Sequence, residues 1–164
     1  MTGKTTSQQV QLPDSELIPL DNVRFRLAVL WLAGAAAIII IMVVQSLLNH
    51  YDDKAQEAWS WLLPTLTPTL GMVITVLGYT ALDSRALEGV VRNSFFQVAF
   101  WLSSFYLFLI LLTLLIQPFA HADAAKAIQL MRLSNIWLGP IQGFVASALG
   151  VLFVSKRKVT DQSG

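Results

Sequence analysis

Four long apolar runs occupy about half of the chain, and none contains Asp, Glu, Lys, Arg or His: Leu27–Leu48, Leu62–Leu82, Phe95–Ile116 and Ile136–Val154. Each has roughly 19 to 22 residues, which at the α-helical rise is about 28–33 Å, enough to cross the hydrocarbon of a bilayer. The 10 acidic and 11 basic residues all fall in the tails and loops. With 55% apolar and 13% charged residues, the chain is far less charged than a soluble domain of its 164 residues. The remaining pieces are too short to bury a soluble core of their own. The expectation is an all-α, polytopic membrane protein: four transmembrane helices in an antiparallel bundle spanning 23–155. A flexible polar tail (1–22) precedes them and a basic tail (156–164) follows.

Orientation follows from the Lys and Arg residues that flank the spans. Arg24, Arg26, Arg85, Arg92, Lys156, Arg157 and Lys158 lie on one side, against Lys54, Lys126 and Arg132 on the other. That asymmetry puts both termini in the cytoplasm and the loops around Asp52 and Asp123 outside, in a multi-pass protein of a bacterial inner membrane. Tyr51, Trp59, Trp61 and Trp137 then mark the outer interface and Tyr79 the inner one. The first run is too long for a signal sequence and is read as an uncleaved anchor. A net charge of +1 argues against nucleic acid as a partner. The absence of cysteine excludes disulfides, thiolate nucleophiles and cysteine-ligated metals.

Local signals refine the outline. Leu17, Ile18 and Leu20 are expected to rest on the membrane surface before Asp21 or Asn22 caps the first helix. Asp83–Asn93 is expected to form one or two helical turns. In Ala120–Leu133 the three-residue recurrence of Asp123, Lys126, Gln129 and Arg132 predicts a separate short interfacial helix. Ser134 and Asn135 would then cap the fourth span. The third span carries Phe95, Phe96, Phe100, Trp101, Phe105, Tyr106 and Phe108, is bulky on every side, and is read as lipid-facing.

Small residues form stripes elsewhere: Gly139, Gly143, Ser147 and Gly150 on the fourth span, Thr67, Gly71, Thr75 and Gly78 on the second, and Gly34 within an alanine run on the first. Such stripes let backbones approach, within one chain or between copies, which points to a homo-oligomer. The second span holds Pro64 and Pro68. Pro68 lacks an N–H and crowds the carbonyl four residues back, so the helix should kink or begin late there, with Thr65, Thr67 and Thr69 supplying hydroxyls. Gln45, Thr65–Thr69, Thr113 and Gln142 share one depth, in the outer third of the membrane. That layer is either interhelical glue or, with Pro64 and Pro68, a hinge or polar pocket.

The chemistry that would define an enzyme is missing. No acid or base lies at membrane depth for a protease, a phosphatase or a proton-coupled exporter, and no spaced arginines make a voltage sensor. His50, Asp52, Asp53, His121 and Asp123 have metal-binding chemistry but no recognised ligand spacing, and nothing implies a cofactor. Lys156, Arg157 and Lys158 read as the charge that stops transfer rather than as a lipid site.

Two stretches, Ala58–Leu77 with its L-P-T-x-x-P-T-L core and Leu133–Val154 with L-S-N-I-W-L-G-P-I-Q-G, resemble segments of small bacterial four-span membrane proteins. Some of these are similar to membrane components of conflict and antiphage systems, which sense membrane disturbance or depolarise the cell. The resemblance covers about a quarter of the chain and implies an oligomeric sensor or permeabilising subunit that works with a cytoplasmic protein partner. The alternatives are a small-solute channel or transporter subunit, and a structural scaffold. Reporter fusions test the topology: a fusion after residue 164 should report the cytoplasm and one beside Asp53 the periplasm, and an external C-terminus would overturn the orientation.

Overall fold

The computed structural model describes residues 17–82, 90–120 and 124–154. Strand β1 (Leu17–Pro19) leads into helix α1 (Leu20–Leu47). A 3-10 turn (Asp52–Lys54) opens α2 (Ala55–Leu82), and β2 (Val90–Arg92) opens α3 (Asn93–Ala120), which is followed by α4 (Ala124–Val154). All four helices are long and apolar enough to cross a membrane. They extend past the apolar runs because the helical backbone continues into the charged ends, where Arg24, Glu57, Lys126 and Arg132 lie.

The connections differ from expectation in instructive ways. The backbone of Leu17–Pro19 pairs antiparallel with Val90–Arg92, Leu17 opposite Arg92 and Pro19 opposite Val90. Helix α1 then starts directly after Pro19, whose extended backbone (φ −56°, ψ 130°) leaves Asp21 in the first turn rather than at the cap. There its charge complements the helix dipole. At the other end of α1, Asn49 takes a left-handed φ of 55°. The His50 N–H reaches the Gln45 carbonyl (3.0 Å) and the Asn49 N–H that of Ser46 (3.1 Å), the paired bonds of a Schellman stop.

The separate interfacial helix predicted before the fourth span does not form; residues 124–154 are one helix. Its buried stripe, Ala124, Ala127, Ile128, Met131, Ser134 and Leu138, runs unbroken through the expected boundary. The Ser134 hydroxyl donates to the Met131 carbonyl (2.7 Å) instead of capping an N-terminus. Tyr51, between α1 and α2, is fully buried within the bundle. The expected turns between 83 and 89, the tails 1–16 and 155–164, and His121 and Asp123 lie outside the described residues.

α1 packs on α2 and α3, and α4 packs on the same two helices. Each helix is apolar nearly all round, so polarity cannot select the inner face; size and shape do. α1 turns Val23, Leu27, Ala28, Trp31, Ala35, Ile38 and Met42 inward and leaves the equally apolar Val29, Ile40 and Val44 outside. α3 is not peripheral. It lies against α1 and α4 and buries Phe96, Ala99, Ser103, Tyr106, Leu107, Ile110 and Leu114. Bulk on every side hides this in the sequence, whereas the small Ala99 and Ser103 mark its inner face. At the centre the Trp31 and Tyr106 rings meet with centroids 6.0 Å apart.

Gly34 shows how tight the α1–α3 contact is. A Cβ built there would sit 2.7 Å from the Leu107 Cδ1, so any side chain must displace that leucine. Gly34→Leu should therefore destabilise the folded chain by about 1–3 kcal/mol through overpacking. Thermal unfolding in detergent checks this, with Gly71→Leu, at a position that meets no neighbour within the chain, expected to leave the melting temperature unchanged.

Candidate functional site

The polar atoms inside the bundle gather where prolines interrupt the helical ladders. α2 runs through both Pro64 and Pro68 as a continuous helix. Proline has no N–H, so Pro68 leaves the Pro64 carbonyl without its intrahelical donor. Two other helices supply donors at this point. Gln142 on α4 places its Nε2 3.2 Å from the Thr65 carbonyl oxygen and 3.5 Å from that of Pro64. Tyr106 on α3 donates its hydroxyl to the same Thr65 carbonyl at 3.0 Å. The Thr65 hydroxyl turns back to the Trp61 carbonyl (2.7 Å). Pro68, Thr65 and Gln142, which the sequence places at one depth, are thus parts of one node, joined by Tyr106.

A second node repeats the device on α3. Pro118, inside that helix, leaves the Leu114 carbonyl without its donor. Gln45 of α1 donates its Nε2 to that oxygen at 3.0 Å. The Tyr51 hydroxyl lies 2.6 Å from the Gln45 Oε1 and 3.0 Å from the amide of Gln117. One hydroxyl proton cannot serve two acceptors. With the Gln117 amide turned over, its NH2 donates to the Tyr51 oxygen while Tyr51 donates to Gln45, and the otherwise unpartnered Gln117 nitrogen gains an acceptor. Burial pushes the Tyr51 phenol well above its ordinary pKa, so it remains a donor at any physiological pH.

The single polar layer read from the sequence therefore divides into two nodes. Gln45 serves the α1–α3 contact and Gln142 the α2–α4 contact. Thr113 takes no part, since its hydroxyl donates to Leu109 of its own helix (2.8 Å). Thr67, Pro64 and Pro68 present exposed surfaces. Thr69 is buried, with no partner for its hydroxyl among the described residues. The sequence reading missed the roles of Tyr51, Tyr106, Gln117 and Pro118. The signal for the last was available: the position four residues before each intrahelical proline names the carbonyl that needs a donor, and Leu114 falls at the depth of Gln45.

The ends of the bundle are tied differently. Arg24 at the start of α1 is buried and donates to the Phe153 carbonyl in the last turn of α4 (3.0 Å), where cations are favoured. At the opposite end the exposed Arg132 and Glu57 form a 2.7 Å ion pair between α4 and α2, worth at most about 1 kcal/mol. The small stripes lie elsewhere. Among the described glycines only Gly34 meets a neighbour within the chain; Gly71, Gly78, Gly139, Gly143 and Gly150 have open space where a Cβ would stand. Two stripe hydroxyls donate within their own helices, Thr75 to the Gly71 carbonyl and Ser147 to that of Gly143, each at 2.8 Å.

Both nodes consist of amides, hydroxyls and carbonyls, which join helices and do not titrate near neutral pH. Among the described residues no three His, Cys, Asp or Glu side chains come together. No family model, curated protein or solved structure matches the chain. What the fold defines is a multi-pass helical membrane protein whose interior polar contacts are built on prolines.

A double-mutant cycle tests the first node. Gln142→Leu should cost about 0.6–1.7 kcal/mol, the range of interhelical hydrogen bonds in membranes. In a Pro68→Ala background the backbone regains an N–H at position 68 that satisfies the Pro64 carbonyl, so the same Gln142→Leu change should cost clearly less. Additive losses in reversible unfolding would show that proline and glutamine are not coupled.

Proposed function

We propose that the chain is a non-enzymatic, oligomeric protein of the bacterial inner membrane that senses membrane disturbance or permeabilises the bilayer together with a cytoplasmic protein partner, in a defence response. In this reading the helices form an antiparallel bundle with both termini in the cytoplasm. The contacts support that arrangement. Ser46 near the end of α1 accepts from Trp59 near the start of α2 (3.2 Å), and Arg24 at the start of α1 meets Phe153 at the end of α4. The end rich in Lys and Arg is then the cytoplasmic one.

The observation that carries the reading is the outward placement of the small stripes on α2 and α4. A Gly, Ser and Thr face offers lipid tails little contact and lets a second backbone come close. These stripes have no partner within the chain among the described residues, so a second copy is the partner proposed for them. The Pro68 node supplies an element able to respond. The Gln142 amide lies between two carbonyls on α2, and a small slide of α4 along α2 exchanges one acceptor for the other without leaving the amide unpaired.

Gly143→Leu should convert detergent-solubilised oligomers to monomers without lowering the melting temperature, because the position meets nothing inside the chain. Unchanged size would overturn the interface. Pro68→Ala and Gln142→Leu should both change ion flux from proteoliposomes while leaving oligomer size intact; wild-type flux in both would leave the node a structural joint only.

A further inference from the structure

The geometry points to a binding site for an anionic phospholipid in the trough between α1 and α3, with the lipid phosphate on Arg26 and an acyl chain along Phe96 and Phe100. The trough has a volume of about 490 Å³ and is lined by Phe25, Arg26, Val29, Leu30, Phe96 and Phe100, within the usual size of small-molecule sites. Phe96 and Phe100, one helical turn apart with ring centroids at 5.8 Å, form its floor. Phe25 and Val29, 64% and 48% exposed, form a wall that opens sideways away from the bundle. A protein with four long apolar helices meets hydrocarbon in that direction.

Charge selects the occupant. Arg24 and Arg26 stand two residues apart near the start of α1 and have different surroundings. Arg24 is buried and bound to the Phe153 carbonyl. Arg26 is exposed at the mouth of the trough, and among the described residues it forms no hydrogen bond or ion pair. Its guanidinium offers the planar fork that binds phosphate oxygens in pairs. The apolar lining continues from Arg26 toward Leu30 and Phe100, deeper in the span, as an acyl chain does from its headgroup. This site rests on the placement of the chain in a membrane and not on self-association. It is built from two helices of a single copy.

Native mass spectrometry of the full chain, released from mild detergent containing equal amounts of phosphatidylglycerol and phosphatidylcholine with the same acyl chains, tests it. The wild type should retain phosphatidylglycerol preferentially. Arg26→Gln should lower that preference about five-fold, as expected for one cation near an anionic surface, and Arg26→Lys should keep most of it. Val29→Trp, which fills the trough from an exposed position, should reduce retention of both lipids while leaving the melting temperature unchanged. Gly143→Leu should leave the lipid ratio as it is. An unchanged ratio in Arg26→Gln, undiminished retention in Val29→Trp, or complete displacement of lipid by inorganic phosphate would overturn the site. Loss of lipid together with loss of oligomer in Gly143→Leu would place the lipid between copies and overturn it equally.

Discussion

A backbone carbonyl buried in hydrocarbon must have a donor, and water cannot supply it. This chain carries Pro64, Pro68, Pro118 and Pro140 inside its long helices, and each removes an N–H from a ladder that would otherwise satisfy itself. At Pro118 the missing donor comes from Gln45 (3.0 Å), and at Pro68 the Gln142 amide stands 3.5 Å from the orphaned Pro64 carbonyl and 3.2 Å from that of Thr65. The glutamine hydrogen bonds from α1 to α3 and from α4 to α2 therefore fall beside prolines. Without them Gln45 and Gln142, both half-buried, would compete for carbonyls already engaged.

Between these nodes the interior is packed by shape. Trp31 against Tyr106 and Gly34 against Leu107 bring α1 and α3 together at mid-height. Tyr106 belongs to both systems, with its ring in the apolar core and its hydroxyl on the Thr65 carbonyl. A single side chain thus touches both α1 and α2 from α3. The outer surface obeys a different rule. Bulky residues such as Ile40, Phe105 and Phe144 stand out from it, while the glycines of α2 and α4 leave shallow ground between them.

The four helices are legible in the sequence because hydropathy and length alone determine them, and the structure lengthens rather than replaces them. The facing of each helix is not legible. In α3 the apolar pattern has no polar side to mark the outside, so Ala99 and Ser103 are lost among the phenylalanines and the helix reads as peripheral. The boundary at Ser134 fails because a serine that bonds back to Met131 continues a helix as readily as it caps one. The small stripes are visible, but sequence alone does not distinguish the inward Gly34 from the outward Gly143. The shared depth of Pro68 and Gln142 emerges from counting along two spans. Pro118 escapes notice because it stands just past the apolar run rather than within it.

The bond from Arg24 to the Phe153 carbonyl joins the beginning of α1 to the end of α4, and synthesis delivers the second residue 129 residues after the first. When the first helix enters the bilayer its arginine has no such acceptor, and the Pro64 carbonyl of the second likewise waits for Gln142. Both requirements are met by one event, the arrival of α4. α4 thus closes the contacts that the three helices before it leave open, and until it arrives the Arg24 side chain lacks that acceptor and the Pro64 carbonyl lacks Gln142.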